Sequence, residues 1–297
     1  MLFLFNLGTK SGVLNSVRSA LSFFTQNSSL DLGTNPVVAR CFKSFYRMRP
    51  EFPRYMVTWD VGKVLHFLAA WHPPEVLSKK QLTLKTVTLI ALTSSDRAQT
   101  IHALDIDHIH FKGAGNGVEF HVPVLLKHSR KGKPAKKVLC VEWDAPELDV
   151  SLYVEFYLRK TFKYRYKAVR LGGEKPTQLF LSHRNGKPVQ RASISRWIRE
   201  VLVLSGIDIT TFRAGSTRSA SSSAAARCGA SPQQIVAHGD WSNLGTYQQW
   251  CRFEEKLVFL WILFVRTFVT WIFFSTDHTF KLISFIFINL ATYINKF

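Results

Sequence analysis

Residues Leu82–Ile106 read LTLKTVTLIALTSSDRAQTIHALDI, and the organisation of the chain turns on them. Leu82, Val87, Leu89, Ile90 and Leu92 recur at helical intervals, while Thr93–Asp96 is a run of small polar residues that interrupts the pattern. The spacing predicts two helices within Ser78–Leu104, separated near Thr93–Asp96. Arg97 falls at their junction.

Upstream, Leu14, Val17, Leu21 and Phe24 share one face of an expected amphipathic helix over Ser11–Gln26. A second helix is expected over Pro36–Met48. Proline suits its first turn, with Val37, Cys41, Phe45 and Met48 on one stripe and Arg40, Lys43, Arg47 and Arg49 forming a basic side. A third, capped by Thr58, turns Val61, Leu65 and Leu68 inward and ends before Pro73 and Pro74. Downstream, alternation over Ile106–Phe111, then Val118–Leu126 and Val138–Trp143, predicts a small antiparallel sheet with a GAGNG turn between its first two strands. Helical pattern returns at Leu148–Phe162. A short strand at Leu179–Ser182 leads into an Asn185-Gly186 turn, and Ser193 can cap the helix carrying Ile194, Trp197 and Val201. The fold class expected is mainly α with a small antiparallel β-sheet.

The 297 residues are 46% apolar, enough for a substantial core, and carry a formal charge of +19 from 39 Lys plus Arg against 20 acids. That imbalance favours a polyanionic partner, with nucleic acid first. The four cysteines, Cys41, Cys140, Cys228 and Cys251, form no CxxC pair and have no histidines at zinc-finger spacing. No glycine-rich phosphate loop ending in Lys-Ser/Thr and no clustered acidic triad is present. No cofactor and no metal are therefore expected.

Breaking and rejoining a phosphodiester without a high-energy cofactor needs a nucleophile that stores the bond energy covalently, and fixed positive charge around the phosphorus. Arg97 is the first candidate, because a guanidinium grips two phosphate oxygens at once; as a helix-terminal residue it also suits a solvated surface role. Lys127, at a strand end in VLLKHSRKGKPAKKV, is placed to act as general acid at a leaving oxygen. Lys131, Lys133, Lys136 and Lys137 compete for that task, and a solvated hairpin tracking a phosphate backbone is the alternative for the whole cluster. Arg218 opens a run of small residues, TFRAGSTRSASSSAAARCGAS, that lets a helix pack closely. Downstream lies IVAHGDWSNLGTYQQWCRF.

In this order the features resemble the tyrosine recombinase family, and most closely the integrases of DIRS-type retrotransposons. The resemblance spans residues 11 to 253 and rests on RSALSFF, PRYMVTWDVGKVL, the Leu82–Ile106 run and DWSNLGTYQQW. It implies a helical core-binding domain at 1–72 and an α+β tyrosine-recombinase catalytic domain at 78–255, which clamp double-stranded DNA and self-associate on it. It further implies strand cleavage through a 3′-phosphotyrosyl intermediate. By motif position Arg97, Lys127 and Arg218 match the two catalytic arginines and the hairpin lysine, and Trp241 the His/Trp hydrogen-bond donor. The family places a histidine three residues before the second arginine, where this chain has Gly215. It ends in an aromatic followed by the nucleophilic tyrosine, where this chain has Trp250 followed by Cys251. In a second register His238 and Tyr247, nine residues apart, match the family's His-to-Tyr spacing and retain a nucleophile.

The remainder, 256–297, is an apolar tail. Leu257–Phe274 and Leu282–Ile294 are almost wholly apolar, with Arg266 interrupting the first run. About 18 apolar residues just span a bilayer, and a central Arg opposes insertion by roughly 2.5–3.5 kcal/mol. Read-through of AT-rich sequence and a membrane anchor are the two readings of the tail. The anchor belongs to a different function class: a membrane-bound basic protein without enzymatic activity. The first residues, MLFLFNL, lack a basic n-region and do not read as a signal peptide. A DNA substrate in a eukaryotic element implies the nucleus, and the KHSRKGKPAKK run can serve as an import signal.

Overall fold

The computed structural model describes residues 1–25, 32–50, 55, 57–113, 117–126, 129, 131, 132, 134–141, 143 and 145–251, with side chains as far as 248. They form two compact units, Met1–Arg54 and Tyr55–Phe297.

The first unit has helices α1 (Leu2–Asn6), α2 (Ser11–Thr25) and α3 (Pro36–Met48). Asn35 caps α3 by accepting from the amides of Val37 and Val38, and Pro36 occupies its first turn, as its fixed φ favours. The core is small: Phe5, Leu14 and Phe45 are buried, with Phe5 and Phe45 stacked at 4.3 Å and the Arg49 guanidinium 4.1 Å from the Phe5 ring. The expected apolar stripes are only partly buried. Val37 and Met48 are 60% and 73% exposed, and Phe24 is 79% exposed. Phe42 packs instead, one position round from Cys41.

The second unit is built around α5 (Lys79–Ser94), which is buried on nearly every side. A helix surrounded by protein need not be amphipathic. Its threonines satisfy themselves locally, Thr83 and Thr86 each donating at 2.7 Å to the carbonyl four residues back. Around α5 pack α7 (Val150–Arg170), α8 (Arg191–Leu204), α9 (Thr217–Arg227) and the sheet β1 (Ile109–Phe111), β2 (Val118–His121) and β3 (Lys137–Cys140), whose order is β1-β2-β3, all antiparallel. Val118, Phe120, Val138 and Cys140 face the core. Glu119 lies on the other face, paired with Lys112, His121 and Lys137. Burial of side chains such as Leu82, Val87, Ile90 and Phe120 stabilises the unit by roughly 1.5–3 kcal/mol each relative to exposure.

The boundary between units falls earlier than the 72/78 expected. Helix α4 (Val61–Ala69) buries Val61, Val64 and Leu68 in the same core as α5, and the Trp59 indole donates to Ser216 Oγ at 2.9 Å. Asp60, not Thr58, caps α4, accepting from Gly62 at 2.8 Å. The C-terminal end of α4 is held by Lys85. Its ammonium, 0% exposed, donates to the carbonyls of Leu68 and Trp71 at 2.7 Å each and lies 3.9 Å from the Tyr153 ring. Positive charge at a helix C-terminus complements its dipole.

Three further expectations change in detail. Ile106–His108 is a 3-10 turn, so β1 begins only at Ile109. Leu179–Ser182 forms a single isolated bridge, Leu181 with Pro188, next to another at Gln178 with Asp105, rather than a strand. Gln190, not Ser193, precedes α8. The Asn185-Gly186 turn is present: Gly186 has φ +71, and a Cβ there would lie 2.4 Å from the Tyr164 side chain, so any other residue is strained and displaces Tyr164. Helices α6 (Ala98–His102), α10 (Pro232–His238) and α11 (Leu244–Cys251) also belong to the unit. The GAGNG turn lies in part, and the tail from 252 onwards wholly, outside the described residues. Among the described residues no helix is long and apolar enough to cross a membrane.

Candidate functional site

Helix α5 ends where Ser95 takes a left-handed conformation, φ +53, a role more often filled by glycine. That turn is stabilised from outside, because Ser95 Oγ lies 2.8 Å from Ser221 Oγ on α9. It throws Asp96 inward and sets Arg97 at the entrance to α6, half-buried.

Helix α9 approaches α5 closely because its inner face is Ala220, Ser221 and Ser222, all buried and small. Arg218 in its first turn is 6% exposed, and its guanidinium donates to the carbonyls of Ser95 at 3.1 Å and Asp240 at 3.3 Å. The guanidinium also lies 4.1 Å from the Trp241 ring. Trp241 reaches that place because Asp240, φ +51, reverses the chain after α10 and the Trp241 amide bonds back to the Val236 carbonyl at 3.0 Å. The indole Nε1 is buried and, among the described residues, without a hydrogen-bond partner. Gly239 makes room for it, since a Cβ at that position would sit 2.9 Å from Nε1.

These elements border an open cleft of about 400 Å³, lined by Asp96, Arg97, Lys136, Lys137, His238 and Asp240 among others. His238 is exposed, and its Nε2 lies 2.7 Å from the Thr93 carbonyl. A carbonyl only accepts, so Nε2 carries the proton. Lys136 is carried in by the sheet. Its carbonyl accepts from Val122 at 2.9 Å, extending the β2–β3 pairing, and its ammonium lies 3.4 Å from Asp96 Oδ2. Burial pushes the Asp96 carboxyl up from its ordinary value, opposed by the positive charges of Lys136 and Arg218 and reinforced by Asp240. Three cationic or proton-bearing groups, Arg97, Lys136 and His238, thus face one opening, with a fourth, Arg218, buried behind it, while the Lys137 ammonium turns to Glu119.

The six sequence-predicted residues are distributed as follows. Arg97 and His238 line the cleft. Arg218 lies behind it and Trp241 against Arg218. Tyr247 is 0% exposed, with its ring 6.1 Å from Trp241 at 67° and packed with Ile235, and it is not among the residues lining the cleft. Lys127 lies outside the described residues. Gly215, where the family pattern has histidine, sits in the turn before α9 with open space where a side chain would begin. Lys136 is one of the four lysines that rival Lys127 in the sequence, whereas Asp96 and Trp59 are not candidates from the sequence. The signal for Lys136 was available: two residues before Val138 in an alternating strand it shares the inward face, whereas Lys137 shares the outward one.

The mostly helical body with its three-stranded antiparallel sheet is the fold of tyrosine recombinase catalytic domains. Among solved structures with this fold, the integrase of the Tn1549 transposon in complex with a circular intermediate DNA aligns with a TM-score of 0.51 and 14% identity, covering 84% of this chain and 78% of that one. The XerH site-specific recombinase bound to a palindromic difH substrate aligns with a TM-score of 0.50 and 12% identity, covering 82% of this chain and 69% of that one. No protein-family model matches the chain, and no curated protein matches it.

Proposed function

We propose that this chain binds duplex DNA and that the Arg97 cleft is a tyrosine-recombinase strand-transfer site in decayed form, inherited from a DIRS-type mobile element. The observation that carries the reading is the convergence of Arg97, Lys136 and His238 on one opening with Arg218 buried behind it. A pentavalent phosphate needs that positive, hydrogen-bonding environment. In this reading Arg97 grips the non-bridging oxygens, and Arg218 supports the site from behind through Ser95 and Asp240. Lys136 or Lys127 supplies the proton to the leaving oxygen. The protein assembles on DNA in more than one copy and works in the nucleus.

Impairment follows from three positions. Gly215 supplies no proton-transfer group, and Cys251 replaces the expected nucleophile with a thiol poorly matched to a hard phosphorus centre. Tyr247, the remaining phenol, is packed beside Trp241, and attack on phosphorus requires it to leave that packing. The protein therefore binds DNA in a salt-dependent way without capturing it.

Covalent trapping on nicked duplex under denaturing detergent tests this, comparing the unaltered chain, Tyr247→Phe, and the pair Gly215→His with Cys251→Tyr. The expected result is no adduct except with the restored pair. An adduct from the unaltered chain that Tyr247→Phe removes would instead establish a working enzyme in the second register.

A further inference from the structure

A second cleft, of about 230 Å³, opens at the opposite end of α5. Lys80 stands in the first turn of α5 and Asp96 just beyond its last, so the two openings are about 24 Å apart along the helix. Lys80, Ser182, His183, Arg184, Arg196 and Trp197 line it, and Ser193 and Glu200 complete its α8 wall. Three elements converge there: the start of α5, the Ser182–Lys187 turn and the outer face of α8.

We infer that this cleft is a phosphoryl-binding site, separate from the Arg97 cleft. Its charge is unbalanced. Lys80 pairs with Glu200 at 2.5 Å, but among the described residues neither Arg184 nor Arg196 has an ion-pair partner, so two guanidiniums face one opening uncompensated. Guanidinium forks match phosphate oxygens in pairs, and the hydroxyls of Ser182 and Ser193 add neutral donors. The wall behind them is apolar and rigid: Trp197 is 6% exposed and its ring centroid lies 5.9 Å from that of His183.

His183 adds an imidazole to the wall of this cleft. Its Nδ1 is buried with no hydrogen-bond partner among the described residues, an arrangement that costs free energy until a ligand atom pairs with it. Burial holds the imidazole below its ordinary pKa, and the positive charges of Lys80, Arg184 and Lys79 hold it lower still, against Glu200. A phosphoryl dianion would cancel that repulsion and favour the protonated ring.

The turn that carries His183 and Arg184 is firmly held. Ser182 and Lys187 close it at 2.8 Å, Gly186 packs on Tyr164, and Tyr164 accepts from Lys79 at 2.6 Å. The cations are thus presented by fixed backbone.

The phosphoryl group can come from free phosphate or from a DNA backbone, and the test separates them. Inorganic phosphate binding is measured by titration calorimetry on the full chain. Binding of a 30-base-pair duplex is measured by fluorescence anisotropy across a salt series. Both are repeated with Arg184→Gln plus Arg196→Gln, two exposed positions whose variant should keep the melting temperature. Phosphate binding weakened at least tenfold in the variant establishes a free phosphoryl ligand. No phosphate binding, but weaker duplex binding with a salt slope reduced by about 1–2, establishes a backbone phosphate. If the double variant matches the unaltered chain in both measurements, the inference is overturned. Should the chain bind no duplex at all, the reading of the Arg97 cleft falls, while the phosphate titration still decides this one.

Discussion

Lys85 places an ammonium where no water reaches. Its pKa falls to about 7 because burial disfavours the charge, with Glu147 opposing. A lysine depressed in the fold and ordinary in the unfolded chain has a definite consequence. Between pH 7 and 10.5 the unfolded state binds more protons, so the free energy of unfolding rises with pH through that window. The destabilising contribution is at its full size below about pH 7. Denaturant unfolding at pH 7, 8.5 and 10 should show that rise in the unaltered protein, and Lys85→Met should flatten it; an equal slope in both would mean the amine is solvated. Gly239→Ala acts through packing. The added methyl would stand 2.9 Å from Trp241 Nε1, so the indole must leave the Arg218 guanidinium. A loss of about 1–3 kcal/mol is expected, with a shift in tryptophan emission.

The α5–α9 seam is the element on which the cleft depends, because it brings Arg218 to Ser95 through side chains no larger than serine. Ser222, 1% exposed, should not tolerate enlargement. Ser222→Leu is expected to cost about 1–3 kcal/mol or more in thermal unfolding and to weaken duplex binding as Arg218 is displaced. Unchanged DNA affinity in a folded Ser222→Leu protein would separate the seam from the site. Much of this was legible in the residues. The break at Thr93–Asp96, the small-residue run after Arg218 and the apolar alternation of β2 and β3 each have a local period or composition. What escaped reading has no local signal. Lys85 sits mid-helix among apolar neighbours and is satisfied by carbonyls from α4. Trp59 reaches Ser216 across 157 residues of chain. Tyr247 falls at a catalytic spacing in one register, yet tertiary packing gives its ring a place against Trp241. Spacing alone does not encode such contacts. The stripes of α2 and α3 misled for a related reason: an amphipathic pattern names the face a helix could bury, and a short unit supplies too little opposing surface to cover it.

At the scale of the whole molecule, the two units differ in what holds them. The first rests on Phe5, Leu14 and Phe45, whereas the second closes a core running from Trp59 to Ala220. Few buried contacts mean low local stability. Hydrogen exchange is therefore expected to label the amides of α2 and α3 by local opening, long before those of α5, which should exchange only with global unfolding. Equal protection in α3 and α5 would count against this. The thiols give that contrast a chemical form. Cys140 on β3 is 0% exposed and pushed up to about 12 by burial, and its sulfur accepts from Thr93, whose carbonyl in turn meets His238. Cys41 in the first unit and Cys228 in the second are exposed. An alkylating reagent given to the native protein would mark those two promptly and Cys140 only when the strand parts from α5. The protein thus carries its own clock: the delay before Cys140 is tagged times how long the ground beneath the cleft stays shut.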